Sequence, residues 1–445
     1  MTAIRLKQFD RSDLRQSFGF INWNPSGKVT DVVGTVVEAH LPSSRLGTIV
    51  NISVKGQADV LAEVVGFRDD KALLLPYGNL SGISPGCAVS GRRTEDRITV
   101  GDHLLGRVVD PMMNVMVGDV PEPIRPLVVP VERDAPNPLL RGRVENKLSL
   151  GIRAMDSLLT FGEGQRVGIM AGSGVGKSVL MGMIARGSSA DVNVLGLIGE
   201  RGREVREFIE RDLGAEGLKR SVVVCSTSDQ SPLMRIRAAK AVTAVAEAFS
   251  AQGKRVLLMM DSLTRVAMAQ REIGLAIGEP PTTKGYPPSV FSLLPRLLER
   301  CGPQVAGMGS ISGLYTVLVD GDDFNDPIPD AVRAILDGHV NLSRSLAAKS
   351  HFPAIEVSTS ISRVMHDVVD PEHWQLASTL RMLMGVYQEN YDYIQIGSYQ
   401  QGTNPTLDAA IKLMPAIETF LKQGITEKST MEKAMEGMKK IFQGK

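Results

Sequence analysis

Residues 171–178, Ala-Gly-Ser-Gly-Val-Gly-Lys-Ser, constrain this chain more than any other stretch. The apolar run Arg166–Met170 ahead of them reads as a buried strand, and Val179–Arg186 behind them reads as the start of an apolar helix. A strand, a glycine-rich turn and a helix N-terminus in that order form a phosphate cradle. Gly172, Gly174 and Gly176 let backbone N–H groups turn inward toward an anion, with Ser173, Val175 and Val179 completing the run. The helix N-terminus adds unpaired donors and partial positive charge. Lys177 can reach β- and γ-phosphates, and the Ser178 hydroxyl can hold Mg²⁺. Ala171 fills the position where the motif usually has glycine, and it is small enough to fit. The competing reading is a glycine-rich turn that binds nothing. The intact Gly-Lys-Ser and both flanks weigh against it.

The chain has 445 residues, 43% hydrophobic and 22% charged, which suits a globular protein of about two to four domains. A net charge of +1 gives no bulk attraction to nucleic acid or anionic lipid. Cys87, Cys225 and Cys301 lie far apart, without metal-ligand spacing, and fit a reducing compartment. The N-terminus shows no continuous apolar stretch of the signal-peptide kind. The uncharged run Cys301–Val319 is broken by glycine and proline, so it reads as loop and core strand.

Residues 1–27 stand apart. Phe9, Phe18, Phe20 and Trp23 crowd among mixed charges, and Leu14, Phe18 and Ile21 share a helical face. They read either as a docking and oligomerisation segment or as an arm packed on its own domain. Residues 28–93 are short β-rich runs punctuated by Gly and Ser, the pattern of a small closed β-barrel. Residues 94–150 are a proline-rich connector. Residues 151–365 alternate apolar strands and helices, the pattern of a parallel α/β core. Residues 366–445 turn helical, and Met431, Met435 and Met438 stripe one side of the last helix, more as packing than as a groove.

Two carboxylates follow the cradle. The strand Arg255–Met260 ends in Asp261, which reads as a Mg²⁺-shell acid, with a helix cap as the alternative. The strand Asn193–Gly199 ends in Glu200. Neighbouring strands of a parallel sheet share one crevice at their carboxyl ends, so Glu200 lies level with the cradle and can orient or deprotonate water. Pairing of Glu200 with Arg201 or Arg203 on the surface explains the same residues equally well.

Together with this cradle, the segments GERGREV (199–205), DSLTR (261–265), PPTTKGYPPS (280–289), LDGH (336–339) and SISR (360–363) resemble the type III protein-export ATPases. These are relatives of the ring subunits of F-type and V-type rotary ATPases. The likeness runs from about residue 28 to about residue 410. GSISGLYTVLVDGDD (309–323) and residues 278–289 are more similar to the flagellar than to the virulence branch. The resemblance implies an α/β fold: a RecA-like P-loop core between an N-terminal β-barrel and a C-terminal helical domain. It implies a cytoplasmic homohexamer, peripheral at the inner face of the membrane, that hydrolyses Mg·ATP and feeds substrates into an export channel. Implied partners are export-gate membrane proteins, a stator-like negative regulator, a central stalk protein and export chaperone–substrate complexes, with no nucleic acid.

Carried onto this chain, the resemblance makes Glu200 the catalytic carboxylate and Asp261 the Walker B acid. It sets Arg201 and Arg265 beside the phosphates and makes Arg363 an arginine finger for the neighbouring subunit. It stacks Phe352 on the adenine and closes the other side of the base with Tyr399. Gln401 stands where a basic residue is usual, and Asn341 where an apolar one is expected. Taken alone, Arg363 reads as a surface arginine paired with Asp367, and Phe352 as core. Three rival readings compete. A nucleic-acid translocase wants aromatic platforms in a basic groove, and residues 28–93 hold only Phe67 and Tyr77. A non-catalytic ring subunit is disfavoured by glutamate at position 200. A virulence-type or rotary ATPase subunit would share the chemistry and differ in its host machine.

Overall fold

The computed structural model describes residues 25–91, 96–118, 122, 126–305, 308–319, 323 and 326–443. The docking segment expected at residues 1–27 therefore lies almost wholly outside the described residues. The chain divides into two compact units, Met1–Asp96 and Arg97–Lys445.

In the first unit, β1 (Ser26–Val33), β2 (Val36–His40), β3 (Ile49–Ile52), β4 (Val60–Arg68), β5 (Lys71–Pro76) and β6 (Ala88–Gly91) close into an antiparallel barrel in the order β1-β2-β5-β4-β3-β6. Burial alternates along β3 and β6, so one face of each strand fills the interior with Val50, Ile52 and Val89. Both rival-reading aromatics fall here. Tyr77 is buried and donates to Glu63 at 2.5 Å, and only Phe67 is exposed. One exposed ring is not a stacking platform.

In the second unit, β7 (Arg97–Val100) pairs with β9 (Leu127–Pro130), and β10 (Lys147–Leu148) with β11 (Phe161–Gly162). The main sheet is built from β8 (Arg107–Val109), β12 (Arg166–Ala171), β13 (Val192–Ile198), β14 (Ser221–Ser226), β15 (Arg255–Asp261), β16 (Gly302–Pro303), β17 (Ser310–Leu318), β18 (Gly338–Leu342) and β19 (Ile355–Ser362). Its order is β19-β18-β12-β17-β15-β13-β14-β8, parallel except for β19, with β16 antiparallel beside β17. Every residue of β13 and β14 is buried, as a parallel sheet covered on both faces requires. The segment 94–150 is more than a connector, because β8 pairs with Val222–Val224 and becomes the edge of this sheet.

The helices Pro371–Glu389, Pro405–Leu421 and Met431–Gln443 pack on one another and on the short helix Arg153–Leu158. Met431 and Met438 are buried and Met435 packs beside them, so the methionine stripe is core. Asn341 follows the bulge in the β18–β19 pairing, and its side-chain amide donates to the Thr359 carbonyl at 2.9 Å and to its hydroxyl at 3.0 Å. A polar residue there stands in for a missing ladder bond.

Candidate functional site

Three strands deliver the site, with β17 lying between β12 and β15. β12 leads into the glycine turn, β13 into Gly199-Glu200, and β15 ends on Asp261. Register holds them level, with Ile169 beside Thr316 and Leu197 beside Asp261. Gly174 and Gly176 take left-handed φ of 78° and 87°, which turns the loop, and the helix Lys177–Gly187 starts directly after it.

Lys177 reaches back between the two acids. Its ammonium donates to Asp261 Oδ1 and lies 3.6 Å from Glu200 Oε1. All three side chains are largely buried. Burial works against the lysine charge, but Asp261 and Glu200 hold its pKa above the ordinary value. Glu200 is pushed up to about 7, first by burial and then by Asp261, against the pull of Lys177 and Arg265. Glu200 Oε1 is a buried oxygen without a hydrogen-bond partner among the described residues. Its charged neighbour there is the Lys177 ammonium, at ion-pair rather than hydrogen-bond distance. Asp261 also accepts from Thr316 Oγ1 at 2.6 Å. The next helix, Leu263–Ala276, is capped by Ser262, which leaves the Asp261 carboxylate outside the capping role.

The arginines part company. Arg265 lies under Gly199: a Cβ on that glycine (φ 73°) would sit 2.7 Å from Arg265 Cβ, so this turn needs glycine. Arg201 points to solvent, 80% exposed, and pairs with Glu204 at 3.4 Å. Arg363 is absent from this crevice. It does not pair with Asp367; its guanidinium donates to the carbonyls of Leu336 and Arg333, at 3.2 and 3.4 Å.

Beside the glycine turn opens a cavity of about 600 Å³, lined by Gly174, Val175, Gly176, Val179, Phe352 and the segment Lys422–Ile425. The Phe352 ring lies 3.7 Å from where a Cβ on Gly176 would be. An apolar slot walled by an aromatic ring next to a phosphate cradle suits a nucleobase. Tyr399 does not line it. Its hydroxyl donates to Asp408 at 2.9 Å and to the Asn404 carbonyl at 3.1 Å, which ties it to the start of the helix Pro405–Leu421. Lys422–Ile425, which the sequence reading missed, lines the slot together with Phe352. Gln423 holds that wall in place. Buried, it accepts from Arg153 N at 2.8 Å, donates to the Gly151 carbonyl at 2.8 Å, and its own N–H donates to the Phe352 carbonyl at 2.9 Å.

Residues 151–362 match the nucleotide-binding domain of the ATP synthase alpha/beta family, residues 29–92 its beta-barrel domain, and residues 369–440 the C-terminal domain of the T3SS EscN ATPase. The flagellum-specific ATP synthase of Bacillus subtilis is 52% identical over 92% of this chain and 93% of its own length. The chain belongs to the type III export ATPases of the ATP synthase alpha/beta family. The type 3 secretion system ATPase of Xanthomonas euvesicatoria is 50% identical over 92% of each protein. The assembled EscN ATPase of enteropathogenic E. coli superposes with a TM-score of 0.87 at 46% identity, covering 93% of this chain and 99% of that one. Family membership makes this an ATP-binding, ATP-hydrolysing chain, and the crevice supplies the groups for it.

Two outcomes follow from this geometry. Gln423→Ala leaves the cradle intact and loosens the base wall. ATP affinity should fall about tenfold, read by fluorescent-nucleotide titration, while the saturated turnover rate changes little. Glu200→Gln should bind ATP and hydrolyse it poorly. It should also stabilise the nucleotide-free chain in a pH-dependent way. A carboxyl raised from 4.5 to about 7 has its stabilising contribution below pH 4.5 and loses it as pH rises through 7. Urea denaturation should therefore favour the glutamine variant by roughly 1–3 kcal/mol at pH 8 and by little at pH 5.

Proposed function

We propose that the chain hydrolyses Mg·ATP as one subunit of a homohexameric ring, that Arg363 of each subunit serves the P-loop of its neighbour, and that turnover drives flagellar-type type III protein export. The observation that carries this reading is the placement of Arg363. Gly338 pairs with Ser362, and Asp337 accepts from the Arg363 N–H, so Arg363 sits at the amino end of the parallel strands. The P-loop leaves from the carboxyl end of β12. Six residues of strand span about 17 Å, beyond the reach of an arginine side chain. Arg363 is exposed, as a group meant for another molecule is. A head-to-tail interface brings such a group to the next subunit's site, and a rotation that closes makes a ring.

Chemically, Lys177 exchanges its carboxylate partners for the β- and γ-phosphates, which frees Glu200 to orient or deprotonate the attacking water. Ser178 and Asp261 are the residues that would hold Mg²⁺. Their donor set fits a metal that arrives with its substrate. Among the described residues there is no cluster of three or more His, Cys, Asp or Glu side chains to hold a resident ion, and Mg²⁺ bound through one carboxylate takes its remaining oxygens from phosphates and water. Such an ion supplies neutralising charge at the phosphates. A finger contributes about 10³–10⁵ in rate.

Several relatives support the export role by their printed names, flagellum-specific in Bacillus subtilis, Pseudomonas aeruginosa and Salmonella typhimurium. EscN has been solved with its central stalk EscO, which supports a stalk partner for this chain too. The same reading places the ring in the cytoplasm at the inner face of the membrane. It gives the ring export-gate membrane proteins, a stator-like regulator and chaperone–substrate complexes as partners. Among the described residues no helix is long and apolar enough to cross a membrane.

The test is subunit mixing. Arg363→Ala should bind ATP and lose hydrolysis, and so should gain activity when mixed with Lys177→Ala, whose own Arg363 is intact. The gain should exceed the summed parental activities and grow with protein concentration. Activity equal to the sum would place Arg363 outside the neighbour's site.

A further inference from the structure

The motif LDGH is not used by the nucleotide crevice, and its acid lies at the opposite end of the sheet. Asp337 is gripped by Arg166, the first residue of β12, in three ways. Arg166 N donates to Oδ2 at 3.0 Å, Nε to Oδ2 at 3.1 Å and Nη2 to Oδ1 at 3.2 Å. In return the Asp337 N–H donates to the Arg166 carbonyl at 2.8 Å. The Arg166 side chain is 14% exposed, and its remaining end lies 2.6 Å from Glu299 Oε1. A two-pronged arginine–carboxylate grip of this kind fixes direction as well as distance.

What the grip holds is the seat of Arg363. The Asp337 carbonyl accepts the Arg363 N–H at 3.0 Å and also Gln165 Nε2 at 3.1 Å. Gln165 Nε2 reaches Ser362 Oγ at 3.0 Å as well. The Arg363 guanidinium rests on the carbonyls of Leu336 and Arg333. Backbone and side chain of the finger are thus both anchored on the corner 333–337. The Asp337 carboxylate ties that corner to the strand whose far end carries the subunit's own P-loop.

We propose that Asp337 and Arg166 are positioning residues for the arginine finger: the Asp337–Arg166 grip sets where Arg363 stands at the neighbour's site and registers it to the strand that binds the subunit's own nucleotide. This rests on the finger reading above. It does not touch the P-loop directly, so its loss acts on the neighbour's turnover rather than on ATP binding by the same subunit. Displacement of a catalytic group by about 1 Å can cost on the order of 100-fold.

The experiment uses Asp337→Asn in the full chain. The amide keeps the size and the main-chain carbonyl but turns donor hydrogens toward the guanidinium. Ring mass should equal that of wild type and ATP affinity should stay within about threefold, while turnover falls about 10- to 100-fold. Mixing with Lys177→Ala should restore turnover above the sum of the parents, because those partners bring an intact finger on an intact seat. The double variant Asp337→Asn/Arg363→Ala should be no slower than Arg363→Ala alone. Mixtures that give only the sum would put the defect in the variant's own P-loop and overturn the inference. Wild-type turnover by Arg363→Ala would sink the finger reading itself. Loss in Arg363→Ala with wild-type turnover in Asp337→Asn would sink only the positioning role. If Asp337→Asn does not assemble, Arg166→Lys repeats the test, since it keeps the charge and cannot grip both oxygens. Wild-type turnover by assembled Arg166→Lys rings contradicts the proposal.

Discussion

The buried ammonium of Lys177 between Asp261 and Glu200 is the contact on which the site depends. Three strand ends bring two carboxylates into one crevice, and burial alone would make them costly neighbours. The lysine offsets that cost in the nucleotide-free chain, yet Glu200 is still pushed up to about 7. Phosphates offer the lysine a better set of oxygens than a carboxylate does. Substrate binding then changes the charge around Glu200 at the point where a water must be activated. The three residues form a resting ion cluster, and in the proposed function the same three are the reaction's machinery.

The sheet separates two duties by its direction. Its carboxyl ends, with the glycine turn and the slot under Phe352, make a nucleotide site that lacks a finger. Its amino end carries Arg363 on a corner bound to the first residue of β12. On the proposed reading neither end is a complete catalyst, and that asymmetry is a physical reason for a ring, because each subunit then contributes half of two sites.

Much of this was legible in sequence where the chemistry is local. The cradle announces itself because strand, glycine turn, Gly-Lys-Ser and helix are contiguous, and Glu200 and Asp261 are legible because each closes an apolar run. What escaped was assembled from distant, ordinary residues. Lys-Gln-Gly-Ile at 422–425 has no motif, and Gln423 earns its role only by bonds to Gly151 and Arg153, some 270 positions away. Tyr399 went the other way. It has a local polar partner, Asp408, that position in the motif does not show. β8 is three residues among prolines, too short for any periodicity, and it is a strand because the edge of β14 accepts it. Asn341 looks out of place in a list of apolar strand positions and makes sense only beside the bulge it bridges.

The central claim is that Arg363 completes its neighbour's site and never its own. The most direct measurement is a structure of the assembled ring trapped with ADP and aluminium fluoride. The account predicts the Arg363 guanidinium within hydrogen-bond distance of the fluoride bound by the adjacent subunit, and about 17 Å or more from the P-loop of its own chain. A trapped ring in which Arg363 stays on the Leu336 and Arg333 carbonyls, away from every bound fluoride, would contradict it.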